Sequence, residues 1–144
     1  MSTLRAPIHR EVRVKVTPSE AFDLFTGTIG AWWPRTFSAV SGTLAFLDSQ
    51  LVEDSDEDSY VWGEVITWNR PKLLVMAWRD PTDKDDQRTN VEIAFVQAPT
   101  GTIVRVAQSG WERVANPAAA IKRYGGDRGW REVLDCYETA VRRS

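Results

Sequence analysis

Gly129-Trp-Arg-Glu-Val-Leu-Asp-Cys-Tyr-Glu-Thr-Ala-Val141 decides how the rest of the chain is read. At about 100° per residue, Trp130, Val133, Leu134, Tyr137 and Val141 fall within about 80° of one another, while Arg131, Glu132, Asp135, Glu138 and Arg142 lie mostly elsewhere. A helix with two large rings and three aliphatic side chains on one stripe needs a wide apolar partner. The preceding sequence supplies it as strands.

Residues 8–16 alternate, with Val12, Val14 and Val16 on one face and His9, Glu11, Arg13 and Lys15 on the other, the pattern of a half-buried strand. Thr17-Pro-Ser-Glu20 then reads as a helix start, with Thr17 as N-cap, Pro18 in the first turn and Glu20 closing a capping box. A short helix through Ala21, Phe22, Leu24 and Phe25 follows. Gly27 and Gly30 punctuate the passage to a second short helix carrying Ile29, Trp32 and Trp33 and ending before Pro34. Strands are predicted over 40–47, 50–53, 60–68, 72–79, 89–96 and 102–110, joined by turn-rich connections such as Asn69-Arg-Pro71, the polar 80–88 stretch and Ala98-Pro-Thr-Gly101. Asn116-Pro117 opens another helical segment, and Gly125-Gly126 should break it so that the terminal helix begins near Asp127.

The expected fold class is therefore α+β: a curved seven-stranded antiparallel sheet wrapped around a long C-terminal helix, with two short helices after the first strand. With 144 residues, residues 1–144 suffice for a single domain without disulfides or metals. Wherever a curved sheet and a straight helix diverge, an internal cavity is expected.

Twenty acidic and 18 basic residues give a net charge of −2 with no basic field, which argues against nucleic acid as a partner. The N-terminus reads as lacking a signal peptide, and no apolar run approaches the ~20 residues of a membrane span. With Cys136 as the sole cysteine, no intrachain disulfide is possible, and a cytoplasmic location is expected. His9 is the only histidine and alternates to the polar side of its strand, while Cys136 sits about 120° from the centre of the apolar helix face. Neither a nucleophile–histidine pair nor a zinc set is in view, and no cofactor is implied. Glu53-Asp-Ser-Asp-Glu-Asp-Ser59 mimics a calcium loop through Asp54, Asp56 and Asp58, but serine stands where such a loop needs glycine and Val65 where it needs glutamate. This stretch, like 83–86, reads as a solvated acidic hairpin tip.

The motifs along the chain resemble the START-like (SRPBCC) superfamily, and within it the branch named after the heat-shock-protein ATPase activator. The resemblance rests on Thr17-Pro-Ser-Glu-Ala-Phe-Asp-Leu-Phe25, Ile29-Gly-Ala-Trp-Trp-Pro34, Val61-Trp-Gly-Glu-Val-Ile-Thr-Trp-Asn-Arg-Pro71, Leu73-Leu-Val-Met-Ala-Trp78, Gly101-Thr-Ile-Val-Arg-Val-Ala-Gln-Ser-Gly-Trp-Glu112 and Gly129-Trp-Arg-Glu-Val-Leu134. It implies the helix-grip fold, with the second short helix over the mouth of the cavity. The eukaryotic activator's separate N-terminal domain has no counterpart in these residues, so co-chaperone activity is not carried over.

Seven tryptophans in a chain this short exceed what a core of this size needs, leaving some for a cavity wall. The expected ligand-lining set is Trp32 and Trp33, one packing inward and one gating access, with Phe37 beyond them. Met76, Trp78, Val91 and Gln108 are expected from the inner sheet face, and Trp130, Leu134 and Tyr137 from the terminal helix. Gln108 ends an apolar row and must find a hydrogen-bond partner, either a ligand or the backbone, unless it is exposed. The leading expectation is a monomer or homodimer that encloses a small hydrophobic or amphipathic molecule. Two alternatives stand beside it. One is a polyketide cyclase- or aromatase-like enzyme using Glu64 in the cavity, with Tyr124 or Arg79 assisting. Strand parity groups Glu64 with Trp62 and Ile66, and because Gly63 and Val65 resemble the family's packing positions the outward orientation is favoured over the inward one this enzyme needs. The other is a chaperone-assisting or partner-binding module with a collapsed interior.

Overall fold

The computed structural model describes residues 5–84 and 87–144. The first four residues of the chain, and Asp85 and Asp86 of the acidic 83–86 run, lie outside the described residues. The elements follow as β1 (Ile8–Val14), α1 (Pro18–Gly27), α2 (Ile29–Trp32), β2 (Thr43–Leu47), β3 (Gln50–Asp54), β4 (Ser59–Asn69), β5 (Leu73–Trp78), β6 (Thr89–Ala98), β7 (Gly101–Ser109), a 3-10 turn (Trp111–Arg113), α3 (Pro117–Gly125) and α4 (Trp130–Arg142). Seven antiparallel strands form one sheet in the order β1-β7-β6-β5-β4-β3-β2. This is the α+β helix-grip architecture the sequence leads one to expect.

Local chemistry accounts for the element boundaries. The Thr17 hydroxyl accepts from Glu20 N at 3.2 Å and the Glu20 carboxylate accepts from Thr17 N at 3.4 Å, a complete capping box at the start of α1. Thr17→Ala is expected to lower unfolding free energy by about 1 kcal/mol in urea denaturation. The Asn116 side chain caps α3 in the same way, accepting from Ala119 N at 3.1 Å. The terminal helix starts at Trp130, later than expected, because the chain doubles back tightly there: a Cβ on Gly129 would lie 2.0 Å from the Tyr124 carbonyl oxygen. Strand β2 likewise starts at Thr43, not at residue 40, since the backbone N–H groups of Ala39, Val40 and Gly42 donate to a carboxylate and not to a neighbouring strand.

All five stripe residues of α4 are buried. They pack over an inner sheet face that includes Leu51, Leu74, Met76, Val91, Ile93, Phe95, Val104 and Val106. The Tyr137 hydroxyl donates to the Ala21 carbonyl at 2.8 Å, tying α4 to α1.

A β-bulge alters the parity of β4. Leu51 pairs with Gly63 but Val52 with Val61, so Trp62 is the extra residue. Trp62 and Gly63 are both buried, and the alternation resumes one position out of step. Glu64, opposite Ala77 on β5 and Gln50 on β3, is exposed and faces away from the core. The grouping of Glu64 with Trp62 on one face is thereby corrected. The outward orientation favoured for Glu64 is borne out, and the alternative that placed it in a cavity as an acid–base group is corrected. No helix among the described residues is long and apolar enough to cross a membrane.

Candidate functional site

Between α2 and β2 the chain runs through residues 33–42 as a loop, and its path is set from beneath by Glu53. This side chain, read from the sequence as part of a solvated tip, is fully buried. Its carboxylate accepts five hydrogen bonds: from the Ser38 hydroxyl (2.7 Å), the backbone N–H of Ala39 (2.8 Å), Val40 (3.1 Å) and Gly42 (2.8 Å), and the Trp62 indole (2.9 Å). Burial alone would push its pKa up. Donors from Ala39, Gly42, Trp62 and Ser38 outweigh that and bring it down to about 2, so the group stays ionised. Ser41, at φ 55, turns the chain back toward β2.

The loop's aromatic side chains meet the interior. Phe37 stacks on Tyr124 with ring centroids 5.2 Å apart and planes 5° from parallel, and the Arg123 guanidinium lies 4.9 Å from the Phe37 centroid. Trp33 donates its indole N–H to the Phe37 carbonyl at 2.8 Å and lies 6.1 Å from Trp78 and 6.3 Å from Trp130. Behind it Trp78 contacts Trp62 at 5.3 Å and Trp130 at 5.5 Å. The polar edges of these rings have protein partners. Trp130 donates to the Gln108 amide oxygen (2.6 Å), and the Gln108 amide nitrogen donates to the Thr89 hydroxyl (2.9 Å). Trp78 donates to the Tyr124 hydroxyl (3.0 Å), which in turn donates to Asp80, whose carboxylate also pairs with Arg123 at 3.1 Å. Burial first, and the Asp80 charge second, hold the Tyr124 phenol well above its ordinary pKa.

The structure thus divides the expected ligand-lining residues. Met76, Trp78, Val91, Gln108, Trp130 and Leu134 come together as buried core, their rings and chains touching one another. The Gln108 amide is held by two side chains and by no backbone group among the described residues. Trp32 packs inward, at 5.0 Å from Phe25 and 5.3 Å from Tyr137. Trp33, half-buried, borders open space instead, while Phe37 joins the buried core between Tyr124 and the Arg123 guanidinium. That space is a cavity of about 270 Å³, partly open to solvent, between α2, the two arms of the loop and β3. Pro34 and Leu44 add apolar wall, and Arg35, Ser38, Ser41 and Thr43 add polar groups, with Glu53 at the base. Gly30 and Gly42 complete the lining, and a Cβ on either would run into backbone, at 2.5 Å from Leu44 O and 2.2 Å from Asp54 O respectively.

Of the side chains named for the cyclase-like alternative, Tyr124 is buried in the Asp80 cluster, and Arg79 lies 4.7 Å from the Tyr60 ring centroid. Among the described residues no group of three or more His, Cys, Asp or Glu side chains is placed to hold a metal ion. Glu53 and Arg35 escaped the sequence reading. Strand parity with Leu51 was the available signal for Glu53, and a lone arginine after Trp-Trp-Pro carried none.

The fold recurs in solved structures. CalC from Micromonospora echinospora, described as a self-sacrificing resistance protein, superposes with a TM-score of 0.74 at 21% identity, covering 96% of this chain and 95% of that one. Protein MLL2253 from Mesorhizobium loti matches with a TM-score of 0.69 at 20% identity, covering 96% and 98%. The AHSA1-like protein from Aeromonas hydrophila matches with a TM-score of 0.63 at 15% identity, covering 95% and 92%. No curated protein matches the sequence significantly. The family model described as Activator of Hsp90 ATPase homolog 1-like protein matches residues 15–141, nearly the whole length, and the chain belongs to that family.

Proposed function

We infer that the protein binds a compact, partly apolar small molecule in the cavity under the 33–42 loop, with Trp33 as its aromatic wall and Phe37 packed behind it. The observation that carries this is the contrast between the two halves of the expected lining set. The deep half, Phe37 included, is closed by its own rings, whereas half-buried Trp33 borders about 270 Å³ of space. That volume lies just below the usual range for ligand sites, roughly 300–1,000 Å³, and suits a molecule of one ring with a short substituent. The walls are preorganised, since five donors fix the loop onto Glu53 and a stack and a guanidinium fix Phe37, so little ordering remains to oppose binding. Binding by enclosure requires no acid–base group.

Ligand-observed NMR with a library of one-ring fragments tests this. Binders should perturb the Trp33 indole N–H resonance, and Thr43→Trp, which places an indole at the exposed rim, should abolish their binding while leaving the fold intact. Fragments that bind with Trp33 unmoved, or that bind Thr43→Trp equally well, would refute the assignment.

A further inference from the structure

We propose that the molecule this cavity takes is an acid, its anionic group paired with Arg35. This rests on the reading of the cavity as a ligand seat and adds the chemical class.

The argument is an inventory of hydrogen-bonding groups in the wall. Trp33 Nε1 is engaged by the Phe37 carbonyl. The Ser38 hydroxyl donates to Glu53 and accepts from Ser41 N at 3.0 Å. The Glu53 carboxylate has about four lone-pair sites and already accepts from five donors, so it offers nothing to an ammonium group. Three side chains are left without a hydrogen bond among the described residues: Arg35, Ser41 and Thr43. Arg35 is exposed at the wall, forms no ion pair among the described residues, and is donor-only, with a planar fork shaped for a carboxylate. Ser41, on the opposite arm of the loop, and Thr43, at the start of β2, contribute hydroxyls. The apolar part of the wall is half-buried Trp33, with Pro34, Phe37 and Leu44 buried behind it. A carboxylate on a small apolar body satisfies both halves of this lining. A free amine has no acceptor of matching charge.

Opposing charge comes from Glu53 below and from Asp54, Asp56 and Glu57, which line a neighbouring surface cavity beyond Ser41, Gly42 and Thr43. The Glu53 charge is dispersed over its donors. The other three carboxylates are exposed, where water and salt screen them over about 8 Å at physiological ionic strength. A direct charge-assisted hydrogen bond to Arg35 outweighs such screened repulsion.

Phenylacetate, benzyl alcohol and benzylamine share a body and differ in head group, so their dissociation constants measured by NMR titration decide the matter. Phenylacetate should bind about tenfold or more tightly than the other two. Arg35→Gln should remove that advantage and leave benzyl alcohol unchanged, and Arg35→Lys should restore part of it. Arg35 is exposed, so folding is preserved in both variants. Equal binding of all three probes, or an unaltered phenylacetate affinity in Arg35→Gln, overturns the acid proposal while the cavity reading stands. Preference for benzylamine overturns it too, and shows the acidic hairpin to dominate. If no probe binds and the Trp33 and Phe37 resonances stay fixed, the acid proposal falls together with the cavity reading.

Discussion

Glu53→Gln is expected to destabilise the protein by about 3–5 kcal/mol, the cost typical of removing one partner from a buried charged network. The amide would present an NH₂ group to donors that converge on an anion, leaving some of the Ala39, Val40 and Gly42 N–H groups without an acceptor. The sign of the pH dependence follows from the carboxylate's pKa, which falls on folding from 4.5 to about 2. The resulting stabilisation, roughly 3 kcal/mol, is fully present above pH 4.5 and is lost as the pH falls through about 2. Guanidinium denaturation across that window should therefore show the wild-type advantage over Glu53→Gln shrinking toward acid. A constant gap between the two proteins would mean that ionisation of Glu53 is not what anchors the loop.

Trp130→Ala is expected to cost about 3–5 kcal/mol, since it deletes a fully buried indole at the junction of α4 with the sheet. Beyond the lost contacts with Trp78, Trp33 and Tyr124, it strands the Gln108 amide oxygen. The void has the shape of an indole and one acceptor at its edge. Free indole should then raise the variant's melting temperature, and indene, equal in shape but lacking the N–H, should raise it less. Equal rescue by both would show that the Gln108 contact adds nothing to the packing.

How much of this was legible beforehand depended on which physical signal each residue carried. The α4 stripe was read residue for residue because helical periodicity needs no knowledge of the partner surface. The α1 cap was read from four residues, since its hydrogen bonds are local. Glu64 was ambiguous because alternation holds only where pairing is regular, and one unpaired residue at Trp62 moved Glu64 across the sheet before a second irregularity at Ile66. Glu53 was assigned to solvent on the company it keeps in sequence, five acidic residues within 53–58, although its partners come from residues 38–42 and 62. Gln108 was recognised as needing a partner, but the identity of that partner depended on how α4 crosses the sheet. The size of the opening inside the grip was the least legible quantity. It depends on how closely the large interior rings nest, which periodicity does not encode.

The manner in which the loop is fastened has an evolutionary corollary. Three of the five grips on Glu53 come from backbone amides, which every amino acid except proline possesses. The path of the loop at residues 39, 40 and 42 thus depends on backbone amides more than on side chains, while Ser38, Gly30 and Gly42 remain tied to the shape of the wall. Position 35 is free to change while the frame that holds it stays put, whereas position 41, at φ 55, stays restricted to residues that tolerate a left-handed backbone.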